Sequence, residues 1–306
     1  MTVNKTMSTV TANGGSATGA YGYYGGGASG GRIALHAAED GGAASSTLSL
    51  SACGGTGSSS TYYGAPGTVF TSVGVYRPTR FRTLKIGNCD RLGPSDRTAI
   101  LADSETLYEF DRVEIEHQGQ LAIEVPPGVG ARSALIVKSL FGDGTGWIRA
   151  LASTDVMVLG PVEESAFSVP LVESTSIVNS FARRVTESRT YFPTALKLNA
   201  TNIQSQSGGT VTLPSRLLVE GVTLSTAGEL NGVEDITVGE GGGLHFADTG
   251  SSTNRSAGYF TFDRVLVTST GSMSSASAKE VSFDTSFTAE GAASLTFSDV
   301  DGMVLT

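Results

Sequence analysis

The sequence predicts an all-β fold, a right-handed parallel β-helix (solenoid) with a glycine-rich N-terminal region. Three observations carry this. First, at five places an apolar residue is followed six positions later by glycine and eight positions later by another apolar residue. The sets are Val113/Gly119/Leu121, Ile203/Gly209/Val211, Val222/Gly228/Leu230, Ile236/Gly242/Leu244 and Val265/Gly271/Met273. Second, two copies agree further: Phe110-Asp111-Arg112-Val113 and Phe262-Asp263-Arg264-Val265 occupy the same place in the unit. Third, no window sustains a helical period over a dozen positions, whereas two-residue alternation recurs along the chain. Strand–turn–strand units repeated at short, uneven intervals are what stacked β-rungs produce.

The elements follow in order. Residues 1–72 read as a glycine-rich strand-and-loop region, the first part of the same solenoid, and residues 73–306 as its rungs. After Gly25-Gly26-Gly27-Ala28-Ser29-Gly30-Gly31 comes an alternating strand, Arg32–Ala37, then strands at Thr47–Ala52 and Thr68–Phe70. Further strands are expected at Phe81–Ile86, Val113–Glu116, Leu121–Val125, Ala134–Val137, Val156–Leu159, Ala195–Leu198 and Thr210–Leu213. Arg216–Leu224, Leu244–Ala247, Tyr259–Val267, Glu280–Phe283 and Ser294–Phe297 complete the set. Val, Ile, Thr and Phe fill them, and Gly, Ser, Asn and Asp fill the joints. Thr175–Thr186 is the best helical candidate, either a short lateral helix or a strand pair, and the strand pair is the preferred reading. A turn of stacked strands takes roughly 20–25 residues, so some glycine units are two sides of one turn, and others carry insertions, as at 248–257. A β-sandwich or jelly roll is the competing architecture, because many short strands also describe it. Recurrence of the glycine joint in phase favours the helix.

Glycine is the outstanding excess at 40 residues, and charged residues are only 16% against roughly 25% in ordinary chains. With 39% hydrophobic residues the chain is too apolar for a disordered one, so its polar surface is built from hydroxyls rather than ions. A net charge of −9 argues against nucleic acid or an anionic membrane as partner. No stretch approaches the apolar length of a membrane helix, so no membrane insertion is expected. Residues 1–14 show no apolar signal core, so either the chain is not exported by that route or it comes from inside a longer precursor, the reading that the β pattern running on to Thr306 favours.

The two cysteines, Cys53 and Cys89, are either two free thiols or one disulfide stapling the glycine-rich region to the first rungs. The disulfide requires an oxidising compartment. Three sequons, at Asn4, Asn199 and Asn254, are compatible with N-glycosylation.

The run Gly25 to Ala34, the pair Gly54-Gly55, and Gly64-Ala65-Pro66-Gly67-Thr68-Val69 together resemble a glycine-rich module of large secreted and cell-surface β-helical proteins. In that module a poly-Gly/Ser loop precedes Gly-Gly-Arg-Ile-Ala, and a second glycine loop precedes Gly-x-Gly-Thr-Val. The resemblance covers about residues 20–72, and the chain departs from it in the longer second turn, where Ala65 and Pro66 separate the glycines. It implies a β-helical surface or adhesive protein with no assigned chemistry.

Catalytic constellations are thin. His36, His117 and His245 lie singly in or beside strands, with no metal-ligand spacing. Gly25-x-Gly27-x-x-Gly30 and Gly27-Ala28-Ser29-Gly30-Gly31 match nucleotide and nucleophile motifs formally, but lack the strand before and helix after that those motifs need. Glu114 and Glu116 share one face of one strand, a spacing that suits glycoside hydrolysis and equally describes two solvated outward residues. Asp299-Val300-Asp301-Gly302 has alternating acids without the completing glutamate of a calcium loop. Glu39-Asp40 and Glu163-Glu164 read as loop charges. Tyr21, Tyr23, Tyr24, Tyr62 and Tyr63 cluster at the glycine loops, where they serve as contact surface or as an end cap.

No catalytic, cofactor or metal site is therefore expected. The reading is a non-enzymatic structural protein, extracellular or at the cell surface: a building block of a coat, appendage or filament, or an adhesive stalk. Its expected partners are further copies of itself or neighbouring domains of a longer chain. The alternative is a polysaccharide-binding or polysaccharide-cleaving β-helix protein of the kind found in phage tail fibres, with carbohydrate as partner.

Overall fold

Val113 and Ile115 are fully buried while Arg112, Glu114 and Glu116 face outward, and this alternation organises the molecule. The computed structural model describes residues 8–17, 25–37, 48–58, 63–74, 81–91, 98–101, 107–125, 132–159, 195–206, 208–247, 259–268, 270–276, 278, 280–298 and 302–305. Every regular element among them is a β-strand, as the sequence predicts. In chain order these are β1 (Ser8–Thr11), β2 (Arg32–Ala37), β3 (Leu48–Ser51), β4 (Thr68–Val73), β5 (Phe81–Gly87), β6 (Thr98–Leu101) and β7 (Leu107–Phe110). Next come β8 (Arg112–Glu116), β9 (Gln120–Glu124), β10 (Ser133–Val137), β11 (Leu140–Gly142), β12 (Trp147–Ala150) and β13 (Thr154–Val158). Then follow β14 (Ala195–Leu198), β15 (Asn202–Ser205), β16 (Thr210–Thr212), β17 (Arg216–Val219), β18 (Thr223–Thr226), β19 (Glu229–Asn231) and β20 (Asp235–Val238). The last are β21 (Gly243–Ala247), β22 (Tyr259–Val267), β23 (Ser272–Ala276), β24 (Glu280–Ala289), β25 (Ser294–Ser298) and β26 (Gly302–Leu305). The helical candidate at 175–186 and the insertion at 248–257 lie outside the described residues.

The chain divides into two compact units, one of residues 1–98, 110–121 and 141–146, the other of 99–109, 122–140 and 147–306. In the second unit the strands fall into three sheets. From β14 to β19 the chain visits them in rotation: β14 and β17 are in one, β15 and β18 in the next, β16 and β19 in the third. Each strand pairs in parallel with the one three elements later, Ile203 beside Leu224 and Val211 beside Leu230. Parallel pairing needs a crossover, and here the other two sheets supply it instead of a helix.

The pairing builds apolar columns. Ile148, Ile203, Leu224, Leu244 and Met273 are successive partners, each buried to within 1%. Val219, Val238 and Val267 form a second column at 0% exposure. Each such side chain contributes about 1.5–3 kcal/mol of burial.

The five repeat glycines sit at two kinds of joint. Gly242 and Gly271 lead from the six-stranded sheet to the eight-stranded one, and Gly209 and Gly228 from the eight-stranded sheet to the five-stranded one. Gly119, in the first unit, follows β8. The N–H groups of Gly119, Gly209, Gly242 and Gly271 each donate to the carbonyl three residues earlier. None of the five has a positive φ; Gln118, Gly208 and Gly241, one residue earlier, take the left-handed conformation instead. Glycine is required for closeness. A Cβ at Gly242 would lie 2.3 Å from the Val219 carbonyl oxygen and at Gly228 2.1 Å from that of Gly209, a backbone atom that cannot swing aside.

The repeated Phe-Asp-Arg-Val tetrads share a burial pattern and a backbone bond, the first at the bend between β7 and β8 and the second at a register shift inside β22. Phe110 and Phe262 are buried, as are Val113 and Val265. The Asp111 N–H donates to the Arg82 carbonyl at 3.0 Å, and the Asp263 N–H to the Glu234 carbonyl at 2.8 Å. The single strand expected over Arg216–Leu224 is two, β17 and β18, because Gly221 at φ +65° turns the chain between them.

In the first unit, β2 pairs with β4 in parallel, β4 with β5 antiparallel, and β5 with β8 in parallel. The glycine run 25–31 forms no regular strand but is held in place by backbone hydrogen bonds. Four segments, 12–17, 25–31, 52–57 and 63–67, are hydrogen-bonded side by side without forming regular strands. Gly14 donates to Cys53, Ala28 to Gly15, Gly55 to Ala28, Gly64 to Gly55 and Gly30 to Ala65, at 2.7–2.9 Å. At Gly27, Gly30, Gly64 and Gly67 a Cβ would meet a neighbouring carbonyl at 1.9–2.2 Å. Gly27 and Gly30, like Gly64 and Gly67, are three residues apart and each faces a neighbouring backbone where no side chain fits. A small satellite core of Ile33, Ala52 and Val69 lies beside them.

Candidate functional site

The chemistry-bearing residues of the first unit gather on the outer side of β5 and β8. Their parallel register sets Lys85 opposite Glu114 and Gly87 opposite Glu116. Lys85 Nζ lies 2.8 Å from Glu116 Oε2 and 3.3 Å from Glu114 Oε2, and Arg112 Nε lies 2.6 Å from Glu114 Oε1. The Arg112 guanidinium also stacks 3.8 Å over the ring of Phe141, whose side chain is exposed. Partial burial lowers the Lys85 pKa, but the hydrogen bond it donates to Glu116 and the charges of both carboxylates outweigh it and hold the ammonium above its usual value. The two glutamates thus form an ion-pair ladder with Lys85 and Arg112, on the face of a sheet.

Beside this ladder the structure joins Cys53 to Cys89 by a disulfide, with Cα atoms 5.8 Å apart. Asn88, 1% exposed, reinforces the junction. Its Oδ1 accepts from the Gly54 N–H at 2.9 Å, and its Nδ2 donates to the carbonyls of Arg91 at 2.6 Å and Gly64 at 3.3 Å. Arg91 adds a guanidinium hydrogen bond to the Gly54 carbonyl. A pocket of about 190 Å³ is lined by Ser51, Cys53, Lys85, Cys89, Glu116 and His117, among others.

The turns after β5 and β8 are stacked. Cys89, Asp90, His117 and Gln118 all have φ between 51° and 65°, unusual for residues with a Cβ. Asn88 and Asp90 N–H groups both donate to the His117 carbonyl, and the His117 N–H donates to Asp143 Oδ2 at 2.8 Å. The His117 ring spans two acids, Nδ1 lying 3.0 Å from Asp90 Oδ1 and 3.9 Å from Asp143 Oδ2. Burial raises the Asp143 pKa, but hydrogen bonds from Thr145 and from the His117 and Thr145 amides, with the His117 charge, bring it below the usual carboxylate range. This grouping of His117 with two aspartates and a disulfide was invisible in the sequence, because its members come from three separate turns.

The other candidates remain apart. His36 packs edge-on to Phe70, and His245 Nδ1 lies 2.7 Å from Ser274 Oγ. Asn199 is exposed and Tyr63 half-buried. Asn4, Asn254, Tyr21, Tyr23, Tyr24, Tyr62, Asp299, Asp301, Glu39-Asp40 and Glu163-Glu164 lie outside the described residues. Among the described residues no group of three or more His, Cys, Asp and Glu side chains is placed to hold a metal ion, and no helix is long and apolar enough to cross a membrane. Comparison with family models, curated proteins and solved structures finds no match to this chain.

Proposed function

We propose that this chain is a non-enzymatic structural protein: a right-handed parallel β-helix that serves as a building block of an extracellular coat, appendage or filament, or as an adhesive stalk. The observation that carries the reading is the column from Ile148 to Met273, buried to within 1% at every step, whose next partner, Leu295, is 38% exposed. Among the described residues β25 is the last strand of its sheet, and an exposed apolar residue on a sheet edge favours addition of another strand layer. Right-handed winding is the hand that parallel crossovers adopt in about 98% of cases. The Cys53–Cys89 bond suits an oxidising compartment. Other copies of the chain, or neighbouring domains of a longer one, are the partners that complete the edge.

Electron microscopy and size-exclusion chromatography of the purified protein test this. End-to-end fibres or a concentration-dependent series of oligomers are expected; a dispersed monomer at all concentrations sinks the assembly reading. A screen on pectins, alginates and capsular glycans separates the polysaccharide alternative. Turnover that disappears in Glu114→Gln or Glu116→Gln would establish that alternative in its place.

A further inference from the structure

The two halves of the disulfide differ in exposure: Cys53 is 4% exposed, whereas Cys89 is at the surface, and the pocket of about 190 Å³ is lined by both. Thiol–disulfide exchange needs a sulfur that an incoming thiolate can reach and a departing thiolate that its surroundings accept. Cys89 offers the first. For the second, Lys85 and His117 line the same pocket, and Ser51 Oγ lies 3.4 Å from Cys53 Sγ. Glu116 also lines it, with its charge paired to Lys85 at 2.8 Å. A lysine in the same pocket as a sulfur favours the thiolate form.

We propose that the Cys53–Cys89 pair is a thiol-exchange site for a low-molecular-weight thiol. The thiolate enters the pocket and attacks Cys89 Sγ. A new S–S bond forms between the small thiol and Cys89, the Cys53–Cys89 bond breaks, and its electron pair leaves on Cys53 Sγ. Proton uptake from solvent completes a buried Cys53 thiol, for which Ser51 Oγ is a waiting acceptor. A second thiol attacking the mixed disulfide at the small-thiol sulfur frees Cys89, carries away the oxidised pair and completes a two-electron reduction. The small volume of the pocket selects a free thiol over a folded protein partner.

The site is built to be opened without losing the fold. Gly54 and Asn88, the residues next to the two cysteines, are joined directly through the Asn88 side chain, which also holds Gly64 and Arg91. These bonds persist when the sulfurs part, so exchange proceeds in the folded protein.

The test is incubation of the intact chain with reduced glutathione in native buffer and in denaturant, followed by acid quench and peptide mass spectrometry. The expected result is glutathione on Cys89 with Cys53 free, forming in native buffer at a rate within about tenfold of the unfolded rate. A disulfide reached only through global unfolding would react about 10³-fold slower or more, and that result overturns the proposal, as does an adduct on Cys53. Single variants give an independent arm. With oxidised glutathione, Cys53→Ser should be modified at Cys89 about tenfold faster, or more, than Cys89→Ser at Cys53, and equal rates overturn the assignment.

Discussion

Lys85 and Glu116 form an ion pair of 2.8 Å across the parallel pairing of β5 with β8, and the same ammonium reaches Glu114 at 3.3 Å. A carboxylate pair that resembles a glycosidase dyad on one strand therefore has its charge answered from the next. With side chains 40% and 28% exposed, the Lys85–Glu116 pair contributes at most about 1 kcal/mol. Because the folded pKa of Lys85 is raised, that contribution is complete below its unfolded value of about 10.4 and is lost as pH rises through the folded one. Glu116→Gln should lower stability by less than about 1 kcal/mol at pH 7 and flatten the alkaline limb in urea unfolding.

Acid lability should centre on Asp235. The hydrogen bond from Arg264 lowers its pKa, partial burial opposes this, and the charges of Arg264 and Arg216 add to the lowering. Its contribution is present above the unfolded value of about 3.9 and is lost as pH falls through the folded pKa. Asp143 acts with the same sign. Asp235→Asn should flatten stability against pH in the acid range, read by thermal unfolding from pH 2 to 7, and leave the neutral-to-alkaline limb unchanged.

Two adjacent glycines should respond oppositely to one methyl group. A Cβ at Gly14 would stand 2.0 Å from the Ala28 carbonyl oxygen, whereas one at Gly15 meets nothing within 4 Å. Gly14→Ala is expected to cost about 1–3 kcal/mol or more in chemical denaturation. Gly15→Ala is expected to be neutral or to stabilise by up to about 1 kcal/mol through the unfolded chain. Gly228→Ala, which presses on the Gly209 carbonyl, belongs with Gly14→Ala.

Buried hydroxyls divide the same way. Ser205 donates to Thr226 Oγ1 at 2.7 Å, Thr226 donates to the Gly228 carbonyl, and the Gly228 N–H returns to Ser205. Thr226→Val opens this ring and should cost about 1–2 kcal/mol. Ser275 stacks on Phe246 in the same sheet, and among the described residues its buried oxygen has no hydrogen-bond partner. Ser275→Ala should stabilise by about 1 kcal/mol, seen as a raised urea midpoint with unchanged slope.

The disulfide closes a loop with a sequence separation of 36, for which chain entropy gives about 3–4 kcal/mol. Cys53→Ser with Cys89→Ser should lower the unfolding free energy by that order. Asn88→Ala should destabilise further, by leaving the Gly54 amide and the Gly64 and Arg91 carbonyls with one partner fewer.

What could be read along the chain was whatever repeats locally. Val113 and Ile115 alternate with Glu114 and Glu116 because successive strand residues point to opposite faces, so burial at these positions follows from order alone. The glycine at each joint and the Phe-Asp-Arg-Val repeat were legible for the same reason. The three-residue strand β11 was not legible, since so short an alternation is indistinguishable from chance.

Tertiary structure decided which strand lies beside which. That Lys85 meets Glu116, that β4 runs against β5, and that His117 falls between Asp90 and Asp143 depend on chain segments brought together from a distance. It also decided why the glycines are there. A local pattern shows that a residue without a side chain is wanted; only the carbonyl of the neighbouring layer, 2.3 Å from the missing Cβ of Gly242, shows that the reason is contact between backbones rather than a bend in one of them.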